Sequence, residues 1–463
     1  MFNSRAHTAA SFCAPRRSIG CAGKKLFLNG RLLCLAVLCL CRFFPSAAAA
    51  AETEEGKPEL QSVADIGVVE VDEDLFFSIT VEQRLQVKGF SLILSGPIRL
   101  RVRDQAPGDS GAIRLQDWDE PSDFARIIPK ISYTHEFGEG RIDFLAGALN
   151  NISIGTGAVL THYFNTTDMD AYNGGLNLSG SYRGNGLDFL LNNLVSPSVL
   201  VGRMYAAPAG WFTEADWAER IYIGGTFGAD VNAPMRAYEH TTRILSVAGG
   251  EIGAAAVHTE RVRLDPVLSL MAMDGDLGVH VSALLRWTVS PSRGLDLSIR
   301  GEYRYAGSDY HPGVFNLFYD FNRFHYRLPN SPPNSTLADQ QSYGESLRPG
   351  HGLAVDLAFH WRSRFEVGAS YDREGTARRH WIMFYTAIAP KEGYRLSAFF
   401  AGQDITGGAG LFGKNSIFGI EARGRIWRPL DFFLYFTRRW RDIENSTSPA
   451  DEFGGGFGAG VSY

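Results

Sequence analysis

Arginines recur at even spacings within several short stretches of this sequence. Arg300 and Arg304 lie in LDLSIRGEYRY (295–305), Arg423 and Arg425 in 415–426, and Arg439 and Arg441 in 431–441. Arg286, Arg362 and Arg395 hold matching positions in neighbouring stretches. In an extended chain, residues two apart share a face, so these side chains project together. Asp296, Glu302, Asp356, Glu366, Asp372 and Glu421 fall on the same faces. Such a surface suits electrostatics rather than bond-making. Around water it sets ion selectivity, and the arginine excess favours anions. Around a filled interior, the same groups form a neutralised network. The sequence leaves both open.

A second candidate is HPGVFNLFYDFNRFHYRLPNSPPNS (311–335), where Phe315, Phe318, Phe321 and Phe324 recur every third residue. The spacing predicts a short helix with one aromatic face. Its functional reading is a constriction or lid folded into a lumen; its plainer reading is a loop packed on a rim. Asp168, Asp170 and Asn173 resemble a calcium loop but miss the EF-hand spacing and its closing Glu. They read as solvated carboxylates, as do Asp117, Asp119, Glu120 and Asp123, with divalent bridging to lipopolysaccharide as a lesser alternative.

Catalytic signals are poor. His280 and His360 share the charged face, and His351 between two glycines has no nucleophile beside it. No metal-ligand spacing and no phosphate-binding glycine loop occurs, so neither an enzyme nor a cofactor is expected.

The elements that must position these residues are strands. In HGLAVDLAFHWR (351–362), Leu353, Val355, Leu357, Phe359 and Trp361 oppose Gly352, Ala354, Asp356, Ala358, His360 and Arg362. FEVGASYD (365–372) alternates likewise, and similar segments repeat from 92–103 to the end. The segment 76–87 is ambiguous. Short turns such as Gly138-Glu139-Gly140 and Gly184-Asn185-Gly186 alternate with long polar stretches near 104–125, 150–173 and 308–350. Tyr182, Trp287, Trp361, Phe365, Tyr394 and Phe432 gather beside the short turns on the apolar face. Aromatic side chains favour the headgroup level of a bilayer. A soluble sandwich or propeller has no reason to collect them at one end.

The chain finishes FGGGFGAGVSY (453–463), with Phe453, Phe457, Ala459, Val461 and Tyr463 on one face and almost only glycine on the other. This terminal aromatic, the alternation and the loop asymmetry resemble Gram-negative outer-membrane β-barrel proteins of the porin-like class, over about residues 76–463. The resemblance implies an all-β, transmembrane, antiparallel up-and-down barrel in the cell outer membrane, of about 18 strands within roughly 16 to 20. It implies Tyr463 as an assembly signal, barrel-assembly machinery as a partner, and contact with outer-membrane lipid and lipopolysaccharide. Oligomeric state is left open.

The first 51 residues carry a basic start, the apolar run LLCLAVLCLC (32–41) and an Ala-rich end, which is a secretory signal layout. Residues 52–75 read as a periplasmic lead-in. All five cysteines lie in the leader, so the exported chain uses no disulfides. Removing the leader's seven Lys/Arg from the chain's 45 leaves 38, against 50 Asp/Glu. That balance argues against a nucleic-acid partner. The expected function is a channel for small or anionic solutes, including export of an acidic polymer. The alternative is a non-conducting barrel that displays its loops for adhesion or envelope organisation.

Overall fold

A computed structural model describes residues 58–71, 74–105, 111–167, 172–213, 215, 217–235, 241–325, 336–340, 348–362, 364–375, 379–391, 393–404, 415–427, 429–441 and 450–462. The leader (1–51), Asp168, Asp170 and Tyr463 lie outside them.

Twenty antiparallel strands close into one barrel, with the two-residue strand Val257–His258 as an extra piece beside it. The circuit begins with Glu59–Val71, Asp74–Val87, Phe90–Arg103, Lys130–Phe137 and Gly140–Gly147. It continues through Gly175–Tyr182, Asn185–Leu191, Val199–Ala206, Ile221–Pro234 and Thr242–Ala254. Val262–Met273, Asp276–Ser290, Leu295–Ala306, Gly350–Trp361 and Phe365–Arg373 follow. His380–Ile388, Tyr394–Gln403, Ser416–Trp427, Leu430–Arg441 and Ala450–Ser462 complete it. The last strand pairs back onto the first, from Val63↔Ser462 to Val71↔Gly454. Closure removes the open edge that hydrocarbon cannot solvate.

The count lies at the upper end of the expected range. The two strands beyond the expected eighteen are Glu59–Val71 and Asp74–Val87. The first occupies most of the stretch read as a periplasmic lead-in. Its alternation is blurred because valines stand on both faces: Val63, Val69 and Val71 are buried inside, while Ala64, Ile66 and Val68 face out.

Glycines make the seam possible. Phe433 and Tyr435 lean from the neighbouring strand across the glycine strip. A Cβ at Gly458 would come within 2.7 Å of the Phe433 ring, and one at Gly456 within 2.8 Å of Tyr435.

The outer surface is an apolar belt. Ile252, Leu268, Val281, Leu357, Leu434 and Phe457 are all exposed mid-strand side chains. Tyr182, Trp287, Trp361, Tyr394 and Phe432 are exposed at the short-turn rim. No described helix is long and apolar enough to cross a membrane, and the strands are the spanning elements. Leu357 sits in register between Ile299 and Ala369 on this belt. Leu357→Arg is therefore expected to destabilise the barrel by about 2–4 kcal/mol, the usual cost of a basic side chain near the bilayer midplane. Urea unfolding in lipid vesicles reads this out, and an unchanged midpoint would remove Leu357 from the lipid face.

Candidate functional site

Two of the long connections fold inward and fill part of the lumen. Phe315 lies in a two-residue parallel ladder with Leu160, joining the connection after Gly147 to the one after Ala306. Tyr163, Tyr310, Val314, Phe315 and Tyr319 are buried there against wall residues including Leu190, Val201, Leu245, Met271 and Ala306. A second apolar patch sets Leu317 and Phe318 against Trp381, Met383, Ala401 and Ile417. All four expected phenylalanines are fixed inside this plug or at its edge. Phe315 and Phe318 are fully buried, and Phe321 packs on the second patch. Phe324 is partly buried and carries the Arg323 guanidinium over its ring at 5.3 Å. The expected single helix is shorter than the spacing implied: Tyr319–His325 holds only Phe321 and Phe324. The wall strands carried a sequence signal for the plug. Val199, Val201, Leu245, Val247, Met271 and Met273 are apolar on the face that should meet water.

Polar groups latch the plug to the wall. Asp230, fully buried, accepts from the Tyr319 hydroxyl at 2.6 Å and from Arg323 Nε at 2.7 Å. Arg300 pairs with Asp356 at 2.5 Å and donates to the Thr156 carbonyl. His162, from the plug, contacts the same Asp356 at 2.9 Å and Asn151 at 2.6 Å. Arg304, 2 % exposed, pairs with Asp372 at 2.7 Å and with Glu302 at 3.4 Å. His280 Nδ1 meets Glu302 at 2.7 Å, and its Nε2 meets the Tyr310 hydroxyl at 2.6 Å. Burial, with the Glu302 carboxylate close by, pushes the Tyr310 hydroxyl up, so it stays protonated and available as a donor. Buried charge persists only when it is paired in this way.

The other side of the lumen is open. A cavity of about 710 Å³ runs along the strands that flank the seam. At the short-turn end its lining includes Glu366, Ala387 and Arg395; at the long-loop end, Val71, Arg126, Tyr172 and Arg439. Phe399, Phe433 and Tyr435 line its middle. Five arginines (Arg99, Arg126, Arg395, Arg423, Arg439) face three carboxylates (Asp65, Glu366, Glu421) in this corridor. A second cavity of about 560 Å³ at the short-turn mouth adds Arg84, Lys391 and Arg425.

Arg395 and Arg423 stand directly opposite each other across paired strands. Like charges in that position destabilise a sheet. Arg423 is relieved by Asp65 at 2.6 Å, across the seam. No ion pair or hydrogen bond of the Arg395 side chain occurs among the described residues.

No family model matches this sequence, and no curated protein does either. Several solved barrels overlap it in shape. OccAB2 of Acinetobacter baumannii aligns at 9 % identity and a TM-score of 0.36, covering 89 % of this chain and 99 % of its own. OprD of Pseudomonas aeruginosa aligns at 8 % and 0.33, covering 89 % and 97 %. The outer membrane protein opdK of the same organism aligns at 7 % and 0.34, covering 88 % and 99 %. At these values the likeness assigns no function to this chain.

The lumen residues expected from sequence therefore divide. Arg395, Arg423, Arg425 and Glu421 line the open corridor or its mouth. Arg300, Arg304 and Asp356 instead belong to the plug latches, because the inward connections cover them. Arg286 keeps the inward parity of His280 and Ser282 but lies outside the corridor. Arg362 leaves the lumen altogether. It sits at the short turn with φ 50° and donates to the carbonyls of Arg293 and Ser292 at 3.0 and 2.6 Å. Two carboxylates read as solvated are buried: Asp117 accepts from Arg99 at 2.6 Å and Arg114 at 2.8 Å, and Asp123 pairs with Arg126 at 3.4 Å. Arg99 and Asp65 were missed. Arg99 stands two residues from Pro97 and Arg101 on one face of Phe90–Arg103, and that alternation was the available signal.

Proposed function

We propose that the barrel is an outer-membrane channel that passes small anionic solutes through the corridor beside the plug. The facing pair Arg395 and Arg423 carries this reading. A like-charge pair on neighbouring strands costs stability, and in a wet lumen it offers a cationic ring segment to a passing anion. The corridor's remaining arginines extend that field towards both mouths. The plug fills part of the lumen beside the corridor, so the free cross-section at that level suits a small solute rather than a coiled polymer.

Reversal potential across a planar bilayer under a KCl gradient tests the proposal. The wild-type channel is expected to favour chloride. Arg395→Glu with Arg423→Glu is expected to invert the preference, since it changes the local charge by four at the short-turn end of the path. Conductance that favours potassium, or a preference the double reversal leaves untouched, would count against the corridor as the selective element. A folded barrel without current would leave its surface loops as the site of function.

A further inference from the structure

At the long-loop mouth the corridor is more than a continuation of the basic lining. Arg99, on the strand Phe90–Arg103, and Arg126, in the short 3₁₀ element Pro121–Ile127, both face the cavity. Arg439 faces it from the strand Leu430–Arg441. Their arrangement is held from behind. Asp117, with no exposed surface, takes Arg99 at 2.6 Å and Arg114 at 2.8 Å, and lies 3.8 Å from Arg126. Arg126 is itself 8 % exposed and reaches Asp123 at 3.4 Å. Three guanidiniums thus share two buried carboxylates, and a fourth comes onto the same space from the facing wall.

Two phenols complete the enclosure. Tyr172 stacks under the Arg126 guanidinium at 5.3 Å, and Tyr435 lines the cavity between Arg439 and the apolar middle. Burial pushes the Tyr172 hydroxyl up, so it remains a hydrogen-bond donor. Fork-shaped guanidinium donors match the oxygens of a phosphoryl group, and a partly buried cluster of them gains more from each contact than exposed ones do. Three guanidinium forks and two phenols offer more donors than the two oxygens of a carboxylate take up, and they suit the three outer oxygens of a phosphoryl group.

We propose that Arg99, Arg126 and Arg439, with the Tyr172 and Tyr435 hydroxyls, form a binding station for the phosphoryl group of a small solute at the long-loop mouth. The inference rests on the anion-channel reading and adds a substrate class to it. A carboxylate monoanion engages the same forks with half the charge.

Calorimetric titration of the detergent-solubilised, folded barrel with inorganic phosphate at pH 8 tests this, with acetate at equal ionic strength as the comparison. Saturable one-site binding is expected, about tenfold or more tighter for phosphate, which is what one hydrogen bond to a charged group supplies. Binding should weaken at pH 5.5, where inorganic phosphate has taken up a proton and carries one charge rather than two. Arg439→Gln should weaken it by at least about tenfold. If that variant loses the heat-dependent gel mobility of a closed barrel, Arg126→Lys keeps the charge but removes the fork and should weaken it too. No saturable heat, equal affinity for acetate, or an affinity unchanged in a folded variant overturns the proposal. The titration reads binding whether or not current flows, so a cation-selective or silent barrel would refute the channel reading and leave this result standing on its own.

Discussion

Deleting residues 311–328 is expected to raise single-channel conductance several-fold while the barrel stays closed. The twenty barrel strands keep every described ladder, because the described part of the deleted stretch, 311–325, ladders with Leu160–Thr161 and with no barrel strand. What leaves is the body of the plug: Phe315, Phe318, Tyr319, Phe321 and Arg323. The lumen then widens from a one-sided corridor towards its full section, and ion flow follows the narrowest section. The deletion also strips cover from Leu245, Met271, Trp381 and Met383 and removes the Tyr319 and Arg323 donors from Asp230. Some loss of thermal stability should accompany the gain in current. Planar-bilayer recording with a parallel gel-mobility assay measures both. Unchanged conductance in a closed barrel would show that the plug does not limit flow.

Arg304→Met is expected to destabilise the protein by about 3–5 kcal/mol, the usual consequence of removing one partner from a buried charge network. Arg304 is the shared cation between Asp372 and Glu302. Without it, both carboxylates face each other across a space that water barely reaches, and Glu302 keeps only His280 and the more distant Arg300 at 3.9 Å. Urea titration of the variant against wild type gives the number. A shift below about 1 kcal/mol, the range of exposed pairs, would mean that solvent reaches this network. The same logic revises an expectation from sequence. Arg300 and Arg304 look like selectivity residues by parity, but their reversal should damage the plug rather than retune the pore. Asp356 behaves alike: it is held by Arg300 and His162, so a basic residue there would meet the Arg300 guanidinium and lose the His162 contact.

The strands were legible because lipid imposes a simple rule. One face must be apolar over the whole belt, so 351–362 or 431–441 declares itself by alternation alone. Where protein covers the inner face, that rule stops discriminating. Glu59–Val71 carries valines on its inner face at 63, 69 and 71 and so passed as a lead-in. Val199–Ala206 and Thr242–Ala254 carry inward Val and Leu because the plug sits on them. Parity points several arginines inward, and Arg395, Arg423 and Arg425 line the corridor or its mouth. It could not tell which are covered, since that depends on where two long connections fold. The contacts that place them join residues more than a hundred positions apart, such as Phe315 with Leu160 and His162 with Asp356. No local pattern encodes those pairings. Asp117 was misread for a related reason: a carboxylate in a polar loop is normally solvated, and only the approach of Arg99 from the barrel wall buries it.

The central claim is that solutes cross on the seam side of the lumen and not through the plug. All five cysteines fall at positions 13 to 41, outside the barrel strands, so a single cysteine placed in the lumen has no native thiol beside it in the barrel wall. Ser397 lines the corridor, whereas Ser269, 1 % exposed, faces inward on a plugged wall strand. A negatively charged methanethiosulfonate reagent should rapidly cut the current through Ser397→Cys and leave that through Ser269→Cys unchanged. Block through Ser269→Cys with Ser397→Cys untouched would place the path on the other side and contradict the account.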